Sequence, residues 1–150
     1  MRIAFGSDHA GASLRAELLA YAQELGHEVS DFGGGEDGPV DYPVYAFAVA
    51  KAVARGEYDR GILICGTGLG MSIAANKVPG IRAALCHECY TARMSREHND
   101  ANILCLGQRV LGPGLAREVL RVFLSTPFSQ GASHVRRLAM ISAEEGAALR

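Results

Sequence analysis

The run Gly61-Ile62-Leu63-Ile64-Cys65 has no polar residue at alternate positions, so a strand built from it must be covered on both faces. The glycine-dense turn Gly66-Thr67-Gly68-Leu69-Gly70 follows at once, then a short helical pattern to Val78 that Pro79-Gly80 halts. A strand with two buried faces needs a layer on each side, and the rest of the chain supplies them. Ile3–Phe5, Val29–Phe32, Arg82–Cys86 and Asn102–Leu106 are further short apolar runs. Helical spacing separates them. Leu14, Leu18, Tyr21 and Leu25 precede Gly26, and Ala46, Val49, Ala50 and Val53 follow Pro43 and stop near Gly56. A further helix is predicted around Tyr90–Arg96, and another carries Leu115, Val119, Val122 and Phe123 after Gly112-Pro113-Gly114. Pro127 breaks the chain before a last helix from about His134. The pattern predicts an α/β protein, a three-layer α/β/α Rossmann-like sandwich with a five-stranded parallel sheet and right-handed crossovers. Its 150 residues read as a single domain, 1–150.

Charge and cysteine usage narrow the function. Lys and Arg number 15 against 16 Asp and Glu, so no global field draws nucleic acid or an anionic membrane. No apolar stretch reaches the roughly 18 residues of a membrane span. Met1 to Gly6 lacks the long apolar region of a secretory signal, and a disulfide framework joining Cys65, Cys86, Cys89 and Cys105 is not expected. The chain therefore reads as soluble, cytoplasmic and reduced. Cys86-His87-Glu88-Cys89 is half of a zinc knuckle whose other ligands would have to come from different strands, and a CxxC redox pair belongs at the start of a helix after the first strands. Neither a metal nor another cofactor is expected.

In parallel sheets ligands bind beyond the carboxyl ends of the strands. Ser7-Asp8-His9-Ala10-Gly11, Cys65–Gly70, the Arg96-Glu97-His98-Asn99-Asp100 turn before the fifth strand, and Gly107-Gln108-Arg109 after it are expected to converge there. A cysteine facing a helix N-terminus is favoured as thiolate, and glycines let backbone N–H groups approach an oxyanion or phosphate. Equally, Cys65 could be a buried strand residue beside a simple turn. Asp8-His9 reads either as an acid–imidazole pair or as a helix-capping Asp beside an exposed His. His98 and Asn99 could be a solvated turn. The basic Ser133-His134-Val135-Arg136-Arg137 could supply guanidinium forks for phosphate together with Arg109, or be a solvated helix face. Gly66–Gly70 spells G-x-G-x-G rather than the dinucleotide fingerprint, yet Glu88 falls about 20 residues on, so a nucleotide-binding module is the alternative of a different class.

Taken in order, these segments resemble the type B ribose-5-phosphate isomerases, a family that includes galactose-6-phosphate and allose-6-phosphate isomerases. The resemblance covers nearly the whole chain. It is carried by the segments 6–11, 41–43, 65–77, 80–83, 96–102 and 107–110. It implies metal-independent aldose–ketose isomerisation, ribose 5-phosphate to ribulose 5-phosphate in the pentose phosphate pathway, through a cis-enediolate. Allose 6-phosphate and galactose 6-phosphate are the alternative substrates. On the resemblance Cys65 is the base, because Gly70-Met71-Ser72 lacks the carboxylate that some members carry there. Thr67 positions the proton transfer, the backbone of Gly66, Gly68, Leu69 and Gly70 holds the enediolate oxygen, and His98 assists ring opening. Asp8 and Asn99 bind hydroxyls, His9, Arg109 and Arg137 contact phosphate, and Tyr42 lines the sugar pocket. The resemblance also implies a homodimer, or a dimer of dimers, in which the His98–Arg109 segment and the C-terminal arginines complete the neighbour's site. It departs at Ser133, where the family often has a second phosphate-binding arginine.

Overall fold

The computed structural model describes residues 1–148. Strands and helices alternate as β1 (Arg2–Ser7), α1 (Ala12–Glu24), β2 (Glu28–Asp31), α2 (Tyr42–Ala54), β3 (Arg60–Cys65), α3 (Leu69–Ala75), β4 (Ala83–Leu85), α4 (Cys89–Glu97), β5 (Ile103–Gly107), α5 (Pro113–Ser125) and α6 (Ala132–Ala148). The sheet is five-stranded, every pair is parallel, and the order is β2-β1-β3-β5-β4. The steps β1→β2 and β4→β5 run one way across the sheet, and β2→β3 and β3→β4 run the other. Crossovers of a single hand must then place α1 and α4 on one face and α2 and α3 on the opposite one. That is the arrangement found: α2 packs on α3, while α1 and α4 both pack on α5.

Alternate residues of the central strands feed separate cores. Ile62, Ile64, Leu104 and Leu106 meet Leu18, Ala92 and Phe123 on the α1–α4–α5 side. Leu63, Cys65, Ile103 and Cys105 meet Val49, Met71 and Ala75 on the α2–α3 side. This double burial explains why the strands read as unbroken apolar runs. α1 ends as its glycine predicts: Gly26 N–H donates to Gln23 O at 2.9 Å and His27 N–H to Ala22 O at 3.1 Å, the paired bonds of a Schellman ending. The predicted strand Arg82–Cys86 shrinks to Ala83–Leu85, only half-buried, because it is a sheet edge. The last helix starts at Ala132, two residues earlier than the pattern suggested.

The strand order reverses between β1 and β3, so the crevice of this sheet opens beyond Ser7 and Cys65.

Candidate active site

At the carboxyl edge, β1 and β3 are tied together where they end, with Asp8 N–H donating to Ile64 O at 3.2 Å. Asp8 is buried, and its Oδ1 accepts from Ala10 N–H at 2.9 Å. The residue capping α1 is Gly11, so the Asp8 carboxylate does not cap the helix. His9 is exposed, and its Nδ1 accepts from Val40 N–H at 3.3 Å, which leaves Nε2 to carry the ring proton.

The Cys65 side chain is only 5% exposed, and its Sγ accepts from Gly68 N–H at 3.1 Å. An N–H aimed at sulfur stabilises negative charge there. That N–H is available because Gly68 sits at φ +77, a left-handed conformation, and a Cβ on it would come within 2.5 Å of Leu85 Cδ1. The end of β5 is laced to the same loop, Gln108 N–H to Cys65 O at 2.9 Å and Arg109 N–H to Gly66 O at 3.0 Å. A Cβ on Gly66 would lie 3.2 Å from Arg109 Nη1, so the guanidinium rests on the loop backbone. A Cβ on Gly70 would lie 2.7 Å from Tyr42 Cζ, so the phenol ring rests there. Thr67 is exposed, and its Oγ1 accepts from Leu69 N–H at 3.3 Å. Asp8, His9, Tyr42, Cys65, Gly66, Thr67, Gly68, Leu69, Gly70 and Arg109 thus share one edge of one chain.

His98 and Asn99 do not join them. α4 leaves the carboxyl end of β4 and runs back, so His98, which caps its C-terminus, reaches the amino end of β5. The five residues of β5 separate the two edges by roughly 17 Å at 3.3 Å per residue. The expected convergence of the Arg96–Asp100 turn with the strand ends is therefore wrong within one chain. Arg109 is a second correction: it lies against its own Cys65 loop, apart from the His98 group with which the resemblance had placed it.

Around His98 a second group forms. Its ring stacks on His134 of α6, centroids 4.2 Å apart and planes 11° apart. Desolvation, and then the charges of His98 and Arg137, hold His134 below the ordinary imidazole pKa. Ser129 N–H and Oγ both donate to Glu97 O, at 3.1 and 2.6 Å, pinning the link before α6 to the end of α4. Arg136 and Arg137 are both exposed. A cavity of about 340 Å³ lies on this side, between Arg82, Asn99, Leu138 and Ile141, away from Cys65.

Arg15 was invisible to the sequence reading. It is 3% exposed, and Nη1 donates to Ser7 Oγ at 2.7 Å and Gly34 O at 2.8 Å. Nε lies 3.0 Å from Asp31 Oδ1, and Nη2 pairs with Glu36. It clasps Gly33–Gly35 onto the end of β1, where a Cβ on Gly34 or Gly35 would collide with the backbone of Ser7 or His9. The triple glycine was the available signal; the buried cation beneath it had none.

The Cys86–Cys89 run spends its side chains on separate structural jobs. Cys86 is buried in the core, and Glu88 caps α4 by accepting from Tyr90 and Thr91 N–H. Among the described residues no three His, Cys, Asp or Glu come together as a metal site. His87 Nε2 accepts from Gly107 N–H at 3.0 Å, beside the Cys65 loop. Burial lowers its pKa from 6.5. The unfolded chain therefore binds this proton first, and stability present above about pH 6.5 is lost as pH falls below it through the lowered folded-state pKa. The thermal midpoint should fall as pH is lowered from about 6.5. His87→Gln, which keeps an acceptor but cannot titrate, should flatten part of that drop. An unchanged slope in the variant would contradict this.

Comparison with known proteins places the chain. The model of the Ribose/Galactose Isomerase family matches residues 3–141. The chain belongs to that family. It is accordingly an aldose–ketose isomerase. It is 54% identical over 143 residues to a putative sugar phosphate isomerase of Bacillus subtilis, covering 95% of each chain. It is 50% identical over 144 residues to ribose-5-phosphate isomerase B of Escherichia coli, covering 96% of each. The solved structure of Clostridium thermocellum ribose-5-phosphate isomerase B superposes with a TM-score of 0.94 at 54% identity, covering 98% of this chain and 99% of that one. Among the described residues no helix of this isomerase is long and apolar enough to cross a membrane.

Proposed function

We propose that the protein interconverts ribose 5-phosphate and ribulose 5-phosphate without a metal, with Cys65 as the proton-transferring base. The observation that carries this reading is the Cys65 thiol at the sheet's switch point, with a backbone N–H on its sulfur and a glycine-lined loop around it. Cys65 as thiolate removes the C2 proton of the open-chain aldose. The C–H electron pair forms the C1–C2 double bond, and the carbonyl pair moves onto O1. N–H groups of Gly66–Gly70 hold that developing oxyanion. The thiol returns the proton to C1 while the O2 hydroxyl proton passes to O1, giving the ketose. Thr67 orients the transfer, Asp8 and Asn99 bind hydroxyls, and Tyr42 walls the pocket. His9, Arg109 and Arg137 bind phosphate, and His98 exchanges a proton with the ring oxygen to open the furanose.

This chemistry needs His98, Asn99 and Arg137 beside a Cys65 that their own chain holds at the opposite edge. A second copy supplies them, in a homodimer or a dimer of dimers. Exposed Leu69 and Ile73 of α3 and Val44 of α2 offer apolar surface for it beside the Cys65 half. The free cysteines and a phosphorylated substrate fit the cytoplasm and a place in pentose phosphate metabolism. Galactose 6-phosphate and allose 6-phosphate are the alternative substrates. The test is ketose formation from ribose 5-phosphate with chelator present. No turnover on any aldose phosphate, with tight nucleotide binding instead, would overturn the reading.

Ser133 bears on substrate choice. Removing Arg137 as alanine should raise KM about ten- to a hundredfold, because a hydrogen bond to a charged group contributes roughly 1.5–3 kcal/mol. Ser133→Arg should lower KM for the five-carbon substrate and penalise a six-carbon one. Kinetics on ribose 5-phosphate and allose 6-phosphate check both, and silence of both variants would remove α6 from the phosphate site.

A further inference from the structure

Arg82 has no role in the chemistry above, yet its side chain is committed to the turn that carries His98. Its own backbone is fixed first: Arg82 N–H donates to Asn102 Oδ1 at 2.9 Å, and Asn102 N–H donates to Arg82 O at 3.0 Å. From there Nε donates to Asn99 O at 2.9 Å and to Asp100 O at 3.1 Å, and Nη2 donates to Asp100 O at 3.0 Å and Asp100 Oδ2 at 3.2 Å. Asp100 stands at φ +44, a conformation that L side chains seldom adopt. Its other oxygen accepts from Arg96 Nη1 at 2.8 Å, and Arg96 is only 2% exposed. The carboxylate is thus gripped from both sides at the point where the chain turns from α4 into β5. On the near side of His98, Ser129 holds the Glu97 carbonyl. On the far side, Arg82 holds the next two carbonyls.

We propose that Arg82 is a positioning residue for ring opening: its fork fixes the Asn99–Asp100 backbone and thereby the place of the His98 imidazole. The inference rests on the reading of His98 as the ring-opening group. In this role Arg82 acts through the turn it holds, so its loss should imitate a displaced His98 first, with a smaller effect through Asn99 on hydroxyl binding.

The experiment compares Arg82→Gln, Arg82→Lys, His98→Asn and the Arg82→Gln/His98→Asn double variant in the full chain. Each is measured for ketose formation from the cyclic aldose and for deuterium uptake from solvent into the open-chain ketose, with the thermal midpoint recorded alongside. Arg82→Gln should slow the first about ten- to a hundredfold and the second much less. Arg82→Lys, which keeps the charge but not the planar fork, should recover part of the loss. The double variant should be little slower than His98→Asn alone, because both act chiefly on ring opening. Additive losses, or equal losses in both assays, would overturn the role of Arg82. A directional loss in His98→Asn with none in Arg82→Gln would also overturn it while leaving His98 in place. No directional loss in His98→Asn would instead remove the reading on which it rests. Should Arg82→Gln fail to fold, Asp100→Asn tests the same clamp. Asn tolerates positive φ and removes only the carboxylate charge. It should show a smaller loss of the same directional kind, and no such loss would overturn the proposal.

Discussion

Cys65→Ala is expected to cut turnover by about 10²–10⁴-fold, the usual weight of a general base, while substrate binding stays near its original strength. The C2 hydrogen is a weak carbon acid, and Gly70, Met71 and Ser72 offer no carboxylate to replace the thiol. Binding should survive because the proposed phosphate contacts, His9, Arg109 and Arg137, are other residues. The fold should survive too, since alanine fits the buried strand end and only Gly68 N–H loses its acceptor. The measurement is exchange of the C2 proton with solvent deuterium, with the thermal midpoint as control. Undiminished exchange would put the base elsewhere. A thiol alkylator should inactivate the wild type, and substrate should protect it.

His98→Asn is expected to slow ketose formation from the cyclic aldose by about a hundredfold or more and to spare deuterium uptake into ribulose 5-phosphate. The ketose cannot close a comparable furanose, so it reaches the enediolate without ring opening. An imidazole can give a proton to the ring oxygen and take it back, and an amide cannot. Equal losses in the two assays would assign His98 to the enediolate step or to the fold.

The Cys65 half of the site was legible in the sequence because its determinants are local. A fully apolar strand, a glycine turn and a following helix put Cys65 and Gly66–Gly70 at a strand end by contiguity alone. The same holds for Asp8 and His9 after β1. The His98 half lies at the amino edge because α4 starts from the carboxyl end of β4 and returns the chain there, a consequence of strand direction rather than of any local motif. Arg15 and Arg82 were illegible for a different reason. Their partners include the backbone carbonyls of Gly34, Asn99 and Asp100, which carry no mark in the sequence, and carboxylates that only the fold brings near. Arg109 was legible as a residue just past the end of β5, but which half it joins depends on how its side chain folds back over Gly66.

The most direct test of a site shared between two copies is complementation. Cys65→Ala and His98→Asn proteins, each nearly inactive on the cyclic aldose, are mixed in equal amounts, unfolded and refolded together. Random pairing makes about half the dimers hybrid, each with one site intact and one carrying both changes. Activity should return to about a quarter of the wild-type level, since half the dimers then carry one working site of two. No recovery, in a mixture shown by mass to contain the hybrid, would contradict the account, because it would mean that Cys65 and His98 do not serve one site across two chains.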